Sequence, residues 1–152
     1  MWLPDMVTGR TIYLDANVFI YAFESTLPPF GALSPLRDVF HLIQQEKTWA
    51  RTSQITRAEV LVHPLRQGNE QLVALYSDLL SGTAMIGMDA VSSAVVDRAA
   101  HLRASHNLRL ADALHLATAI ESGCDAMITA DKRLAACNAL MEMLLIETLG
   151  TP

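Results

Sequence analysis

The feature that most constrains the fold is a short apolar run that ends in a carboxylate and leads directly into a second apolar segment. Thr11 to Leu14 is rich in β-branched and aromatic residues, which is the composition of a buried strand. Asp15 follows at once, and 18–23 is too long an apolar segment to be a turn. A carboxylate at the carboxyl end of such a strand lies where open α/β sheets bind ligands. A simpler interpretation is that Asp15 or Asn17 caps the next helix.

Strand-like and helix-like segments alternate along the rest of the chain. Short apolar runs predict strands at 11–14, 49–53, 84–88 and 126–129, with a further edge strand within 138–148. Apolar stripes predict helices that begin near Ser34, Ile55, Asn69, Asp89 and Leu110. We expect Pro64 to stop the second of these helices and Asp89 to cap the fourth. This alternation predicts one three-layer α/β domain over residues 1–152, with a mainly parallel sheet.

Composition and charge limit the classes of protein that the chain can belong to. Its 152 residues suffice for one domain with a core, and a hydrophobic content of 51% argues against disorder. The longest stretch without a charged residue, Ser25 to Leu36, contains prolines, so no membrane helix is expected. No signal peptide is evident, and Cys124 and Cys137 lack the spacing of a zinc site, so we expect a cytoplasmic protein with reduced thiols.

Four acidic residues, which we call the acidic quartet, stand at predicted strand-to-helix junctions: Asp15, Glu59, Asp112 and Asp131. In a parallel α/β domain the carboxyl ends of the strands share one rim, so the four side chains can converge there. Each also has a structural interpretation. Thr56 and Glu59 match a capping box, Asp112 can complement a helix dipole, and Asp131 fits an ordinary turn. Asp112, however, interrupts one of the most apolar segments, where an unpaired carboxylate is unfavourable.

The electrostatics of such a cluster point to a metal ion. Two carboxylates about 4 Å apart repel by roughly 4 kcal/mol at an effective dielectric constant near 20. Four of them are tolerated only with protons or a hard cation between the oxygens. Carboxylates without cysteine or clustered histidine favour Mg²⁺ or Mn²⁺ over zinc. Such a cation typically serves phosphoryl chemistry, because it polarises the phosphate and activates a water.

Other features narrow the function without deciding it. The motifs G-x-S-x-G, Walker A, G-x-G-x-x-G and H-E-x-x-H are absent. His115 is expected to be a packed or hydrogen-bonded helix residue. A net charge of −5 counts against nucleic-acid binding, although eleven Lys and Arg residues can still form a local basic patch.

Four segments together resemble the signature blocks of the PIN-domain family, and within it the VapC-type toxins of toxin–antitoxin pairs. The segments are 12–20 (IYLDANVFI), 56–60 (TRAEV), 109–119 (RLADALHLATA) and 128–134 (ITADKRL). The resemblance implies a parallel five-stranded sheet between helices and a Mg²⁺- or Mn²⁺-dependent endoribonuclease that hydrolyses RNA. It also implies a homodimer, inhibited by a small antitoxin that threads into the acidic pocket.

The resemblance further assigns roles to individual residues. The acidic quartet holds the metal and forms the catalytic site, and Asn17 and Thr129 hydrogen-bond around it. Three cations next to the quartet are candidates for RNA contacts: Arg109, Lys132 and Arg133. Two other functions stay open from the residues alone. One is a non-catalytic α/β interaction module in which the acids cap helices, and the other is a small-molecule phosphohydrolase with the same metal site.

Overall fold

A computed structural model describes residues 3–24 and 35–146. Within them, five strands form one parallel sheet in the order β3-β2-β1-β4-β5, as expected from the alternating pattern. The strands are β1 (Thr11–Leu14), β2 (Trp49–Ser53), β3 (Ile86–Asp89), β4 (Ala126–Thr129) and β5 (Glu142–Leu145). The predicted helix start at Ser34 and the end of the predicted tail strand, 147–148, lie outside the described residues.

Helices cover both faces of the sheet and complete three layers. They are α1 (Leu3–Val7), α2 (Ala16–Phe23), α3 (Pro35–Gln44), α4 (Gln54–Gln67), α5 (Glu70–Leu79), α6 (Ser93–His106), α7 (Leu110–Glu121) and α8 (Lys132–Ala135). Ile12 and Leu14 pack with α1 to α5, whereas Tyr13 packs with α6 to α8. This alternation follows from the two-residue period of a strand. The short helix α1 was not predicted from the sequence.

The register of the sheet brings the carboxyl ends of neighbouring strands to one edge. Leu14 at the end of β1 pairs with Ile128, and Ser53 at the end of β2 pairs with Asp89. The loops and helix starts that follow these strands therefore share one rim. The described residues contain no helix long and apolar enough to span a membrane.

The prediction that Pro64 stops its helix is wrong. Helix α4 continues to Gln67 and ends at Gly68, whose φ of 64° is the left-handed conformation that glycine adopts readily. Pro64 is buried, and its carbonyl accepts the N–H of Asn69 at 2.9 Å. Burial of the ring and this C-terminal hydrogen bond offset the helical donor that proline lacks.

The prediction that Asp89 caps a helix is also wrong. Asp89 is the last residue of β3, and its carboxylate accepts two hydrogen bonds from Arg51, at 2.9 and 2.8 Å. Gly87 makes room for this ion pair, since a Cβ there would lie 2.8 Å from a guanidinium nitrogen of Arg51. The cap of α6 is Ser92, which accepts the N–H of Val95.

Candidate active site

Asp15 is the buried member of the acidic quartet. It is the N-cap of α2, where Oδ1 accepts the Val18 N–H at 3.2 Å, and its Oδ2 accepts the Thr129 hydroxyl. The residue is only 4% exposed. Burial raises the pKa of Asp15 to about 6, partly opposed by the hydrogen bond from Thr129 and by the nearby His115. Asp15 therefore caps a helix and also lies at the rim, so the two interpretations of this residue are compatible.

Glu59 lies further along its helix than the sequence suggested. The N-cap of α4 is Ser53, which accepts the N–H of Ile55 at 3.2 Å, so Glu59 lies beyond the first turn. The predicted capping box is therefore wrong, because β2 runs directly into the helix and places Ser53 at its start. Thr56, the other half of that motif, is buried, and its hydroxyl lies 2.6 Å from that of Thr52.

The Glu59 carboxylate is instead held by a histidine on another helix. Its Oε1 lies 2.6 Å from Nε2 of His115 in α7, and the Glu59 side chain is 39% exposed. The other imidazole nitrogen, Nδ1, lies 2.7 Å from the hydroxyl of Tyr13 in β1. His115 is thus a hydrogen-bonded helix residue, as expected, and it joins a buried strand to the exposed carboxylate.

Asp112 and Asp131 meet at a single guanidinium. Arg109 donates from Nε to Oδ2 of Asp112 at 3.0 Å and from Nη2 to Oδ2 of Asp131 at 3.1 Å. Asp131 also caps α8, because its Oδ1 accepts the N–H of Arg133 at 2.8 Å. The hydrogen bond to Asp112, with the charges of both acids, raises the pKa of Arg109 above its already high value. The structure thus brings two members of the quartet together around a cation.

Thr129 connects this pair to Asp15. Its hydroxyl donates to Asp15 and accepts the backbone N–H of Asp131 at 3.0 Å. Asn17 lies exposed in the first turn of α2, and no hydrogen bond among the described residues joins it to the quartet. Lys132 and Arg133 are exposed at the start of α8, next to Asp131.

The donor chemistry of the quartet fits a hard divalent cation. All four side chains offer carboxylate oxygens, and burial of one of them makes its charge unfavourable without a positive partner. The described part of the chain, however, contains no group of three or more His, Cys, Asp or Glu side chains spaced to hold a metal. The carboxylates are bonded to Thr129, His115 and Arg109 instead. A cation that bridges Asp112 and Asp131 would have to displace Arg109.

Two contacts of the site were not predicted from the sequence. One is the hydrogen bond between Tyr13 and His115, and the other is the pairing of Arg109 with two acids of the quartet. Tyr13 is a polar-tipped residue between Ile12 and Leu14, and it faces α7, where His115 interrupts an apolar segment. The sign of this contact in the sequence was that Tyr13 and His115 are each a polar residue within an apolar segment. Arg109 was considered only as a contact for RNA.

Comparison with known proteins identifies the family to which the fold belongs. The family model of the PIN domain matches residues 12–139. A search of curated proteins finds no significant match.

Solved structures resemble the fold at low sequence identity. A toxin–antitoxin complex from Klebsiella pneumoniae is 21% identical with a TM-score of 0.63, covering 88% of this chain and 95% of that one. VapBC2 from Rickettsia felis, bound to promoter DNA, is 13% identical with a TM-score of 0.66, covering 89% and 98%. VapC20 from Mycobacterium tuberculosis, a toxin that cleaves the sarcin–ricin loop, is 15% identical with a TM-score of 0.66, covering 83% and 94%. Since the family model spans most of the sequence and these structures share the fold, the chain belongs to the PIN domain family.

Proposed function

We propose that the protein is a Mg²⁺- or Mn²⁺-dependent endoribonuclease and the toxin of a type II toxin–antitoxin pair. The observation that supports this proposal is the linkage of acids from three separate chain segments at one rim of a PIN fold, with the charge of Glu59 also acting on Asp15. Asp15 and Asp131 are linked through Thr129, and Asp131 and Asp112 through Arg109. An acidic rim that already holds a guanidinium is a place where a cation is stabilised. The structurally similar VapC20 is described as a toxin that cleaves RNA at the sarcin–ricin loop.

The four carboxylates of the quartet would hold the cation, which supplies polarisation of the scissile phosphate and an activated water when bound. Asp15 is kept in place by Thr129 and by the Val18 N–H, so its carboxylate is oriented before any ligand arrives. Preorganisation of this kind lowers the free energy needed to assemble a site. Thr129 also holds the backbone of Asp131. One hydroxyl thereby fixes two of the four acids relative to each other.

Arg109 has a further role in this proposal. Its side chain is 62% exposed and reaches Asp112 and Asp131 from outside, so it can turn toward solvent without disturbing the core. Released from the two carboxylates, the guanidinium would offer a bidentate contact to an RNA phosphate. Lys132 and Arg133 would add charge beside it. The net charge of the chain is −5, so RNA binding needs a local basic patch. These three cations would form it.

The remaining parts of the proposal concern partners. The K. pneumoniae and R. felis structures are a toxin–antitoxin complex and VapBC2, which supports a small antitoxin as the partner of this chain. We propose that the antitoxin covers the acidic rim, that the toxin forms a homodimer, and that it acts in the cytoplasm.

Cleavage of RNA with and without metal tests the proposal. Protein stripped with EDTA should leave purified total RNA intact, and Mn²⁺ or Mg²⁺ should restore cleavage. Asp131→Asn should abolish cleavage, because the substitution removes a charge from the rim while an amide oxygen can still cap α8. The matched control is Asp97→Asn, an equivalent change at an exposed acid of α6. Equal cleavage by both variants, or cleavage unaffected by EDTA, would refute the proposal.

A second function has one observation in its favour. Asp15 and Asp131 do cap helices, and Arg109 already pairs with Asp112 and Asp131, so these acids have structural partners without a metal. This arrangement would suit a non-catalytic interaction module. Such a module would bind no divalent cation at the rim and would show no metal-dependent cleavage.

A further inference from the structure

A chain of hydrogen bonds leads from the core to the exposed carboxylate of Glu59. Tyr13 in β1 is fully buried, and its hydroxyl lies 2.7 Å from Nδ1 of His115. His115, only 3% exposed, lies with its Nε2 2.6 Å from Oε1 of Glu59. The two rings also touch edge to face, with centroids 5.8 Å apart. Packing therefore fixes the orientation of the imidazole, and water has no access to reorient it.

The protons in this chain can be placed from the partners on each side. A carboxylate only accepts hydrogen bonds, so Nε2 of His115 must carry the hydrogen that it shares with Glu59. In the neutral imidazole Nδ1 is then an acceptor, which requires the Tyr13 hydroxyl to donate. Burial raises the pKa of Tyr13 well above its usual value, so this hydroxyl keeps its proton. The chain thus runs in one direction, from Tyr13 through His115 to Glu59.

We infer that Tyr13 and His115 are positioning residues that orient Glu59 as a metal ligand. Glu59 is part of the proposed metal site, so this inference rests on the proposed function. A partly exposed glutamate normally samples several rotamers, and binding a cation would restrict them. Here Oε1 is already held by His115, which leaves Oε2 for the cation. Loss of such an outer partner typically weakens metal affinity by about 10- to 100-fold.

The substitution that tests this role is Tyr13→Phe, which removes only the hydroxyl. The matched control is Tyr76→Phe, because Tyr76 is also fully buried and its hydroxyl donates a hydrogen bond too, in this case to the Glu24 carboxylate. Mn²⁺ affinity is measured on the full chain by titration, with free Mn²⁺ read from its electron paramagnetic resonance signal. We expect Tyr13→Phe to raise the Kd by about 10-fold and Tyr76→Phe to leave it unchanged.

A second readout does not depend on metal. Nitrogen-15 NMR of histidine side chains distinguishes the two neutral tautomers and the imidazolium, and the His115 signals are assigned by their loss in His115→Gln. We expect His115 of the metal-stripped wild type to carry hydrogen on Nε2 alone. In Tyr13→Phe the hydrogen should stay on Nε2, because Glu59 still accepts it, and the Nδ1 signal should shift to that of an acceptor without a hydrogen bond. Tyr76→Phe should retain the wild-type tautomer.

Each outcome decides a separate point. A wild-type His115 that is protonated on Nδ1 would overturn the inference, whatever the metal does. Equal Mn²⁺ affinities of Tyr13→Phe and Tyr76→Phe would overturn it as well. A wild-type protein with the expected tautomer that binds no Mn²⁺ would instead refute the proposed function, and with it the metal-positioning role of the pair.

Discussion

Replacing Asp15 with Asn removes a buried carboxylate whose pKa is raised from 3.8 to about 6 because burial disfavours its charge. An acid with a raised pKa binds its proton more tightly in the folded state than in the unfolded state. The contribution of Asp15 to the unfolding free energy is therefore most favourable below pH 3.8, falls as the pH rises toward 6, and stays lower above it. Asn cannot ionise, so Asp15→Asn does not lose this stability as the pH rises.

The size of the effect follows from the shift in pKa. Each unit is worth about 1.4 kcal/mol, so the shift of Asp15 corresponds to about 3 kcal/mol. The side chain is almost fully buried, so solvent screening does not reduce this value. The stability of Asp15→Asn relative to wild type should therefore increase by about 3 kcal/mol between pH about 3.5 and pH about 7.5. Asn also disturbs the hydrogen bond from Thr129, but that effect does not vary with pH.

Urea denaturation of both proteins with EDTA, at intervals across that pH range, measures the difference directly. Only the change with pH matters, because pH-independent effects of the substitution and the titration of other groups common to both proteins cancel. A difference in unfolding free energy that stays constant over the whole range would refute the reasoning. Adding saturating Mn²⁺ at neutral pH should stabilise the wild type and leave Asp15→Asn unchanged.

Three further predictions follow from the rim and the family. Arg109→Gln should bind Mn²⁺ more tightly than wild type in calorimetric titration, because no guanidinium competes for Asp112 and Asp131; equal or weaker binding would contradict this. Glu59→Gln should keep the melting temperature of the metal-stripped protein, since Glu59 caps no helix and the amide oxygen can still accept from His115, while cleavage of RNA is lost. Sedimentation velocity should give a homodimer, and a species of 16.6 kDa at micromolar concentration would contradict it.

The sequence was most informative where local composition and burial agree. The β-branched run of β1 and the apolar run of β4 were predicted with the bounds that the structure shows, and both are followed by an acid at the rim. Buried parallel strands are continuous apolar segments, so their ends are sharp in the sequence. The junctions of Asp15 and Asp131 were therefore correctly placed on the chain.

Local signals failed where a contact from elsewhere outweighed them. Pro64 resembled a helix stop, but burial of its ring and Gly68 beyond it extend α4. Asp89 resembled a cap, but Arg51 on the neighbouring strand binds it. Such contacts depend on which elements become neighbours in the fold, and local sequence patterns do not predict that arrangement.

Sequence patterns also did not predict the hydrogen-bond partners of the acids, because these partners are distant in the sequence. Tyr13 and His115 are separated by 102 positions, and Arg109 reaches Asp131 across 22. The pattern located the quartet residues on the chain. Only the fold shows that a guanidinium lies between two of them and that a buried tyrosine is hydrogen-bonded to the histidine beside a third.

The claim that a divalent cation binds at the acidic quartet is tested most directly by crystals grown with Mn²⁺ and measured at the manganese absorption edge. We predict an anomalous peak at the rim, among the carboxylate oxygens of the acidic quartet, with Arg109 displaced from between Asp112 and Asp131. A map with no peak there, and Arg109 still bonded to both acids at saturating Mn²⁺, would contradict the claim.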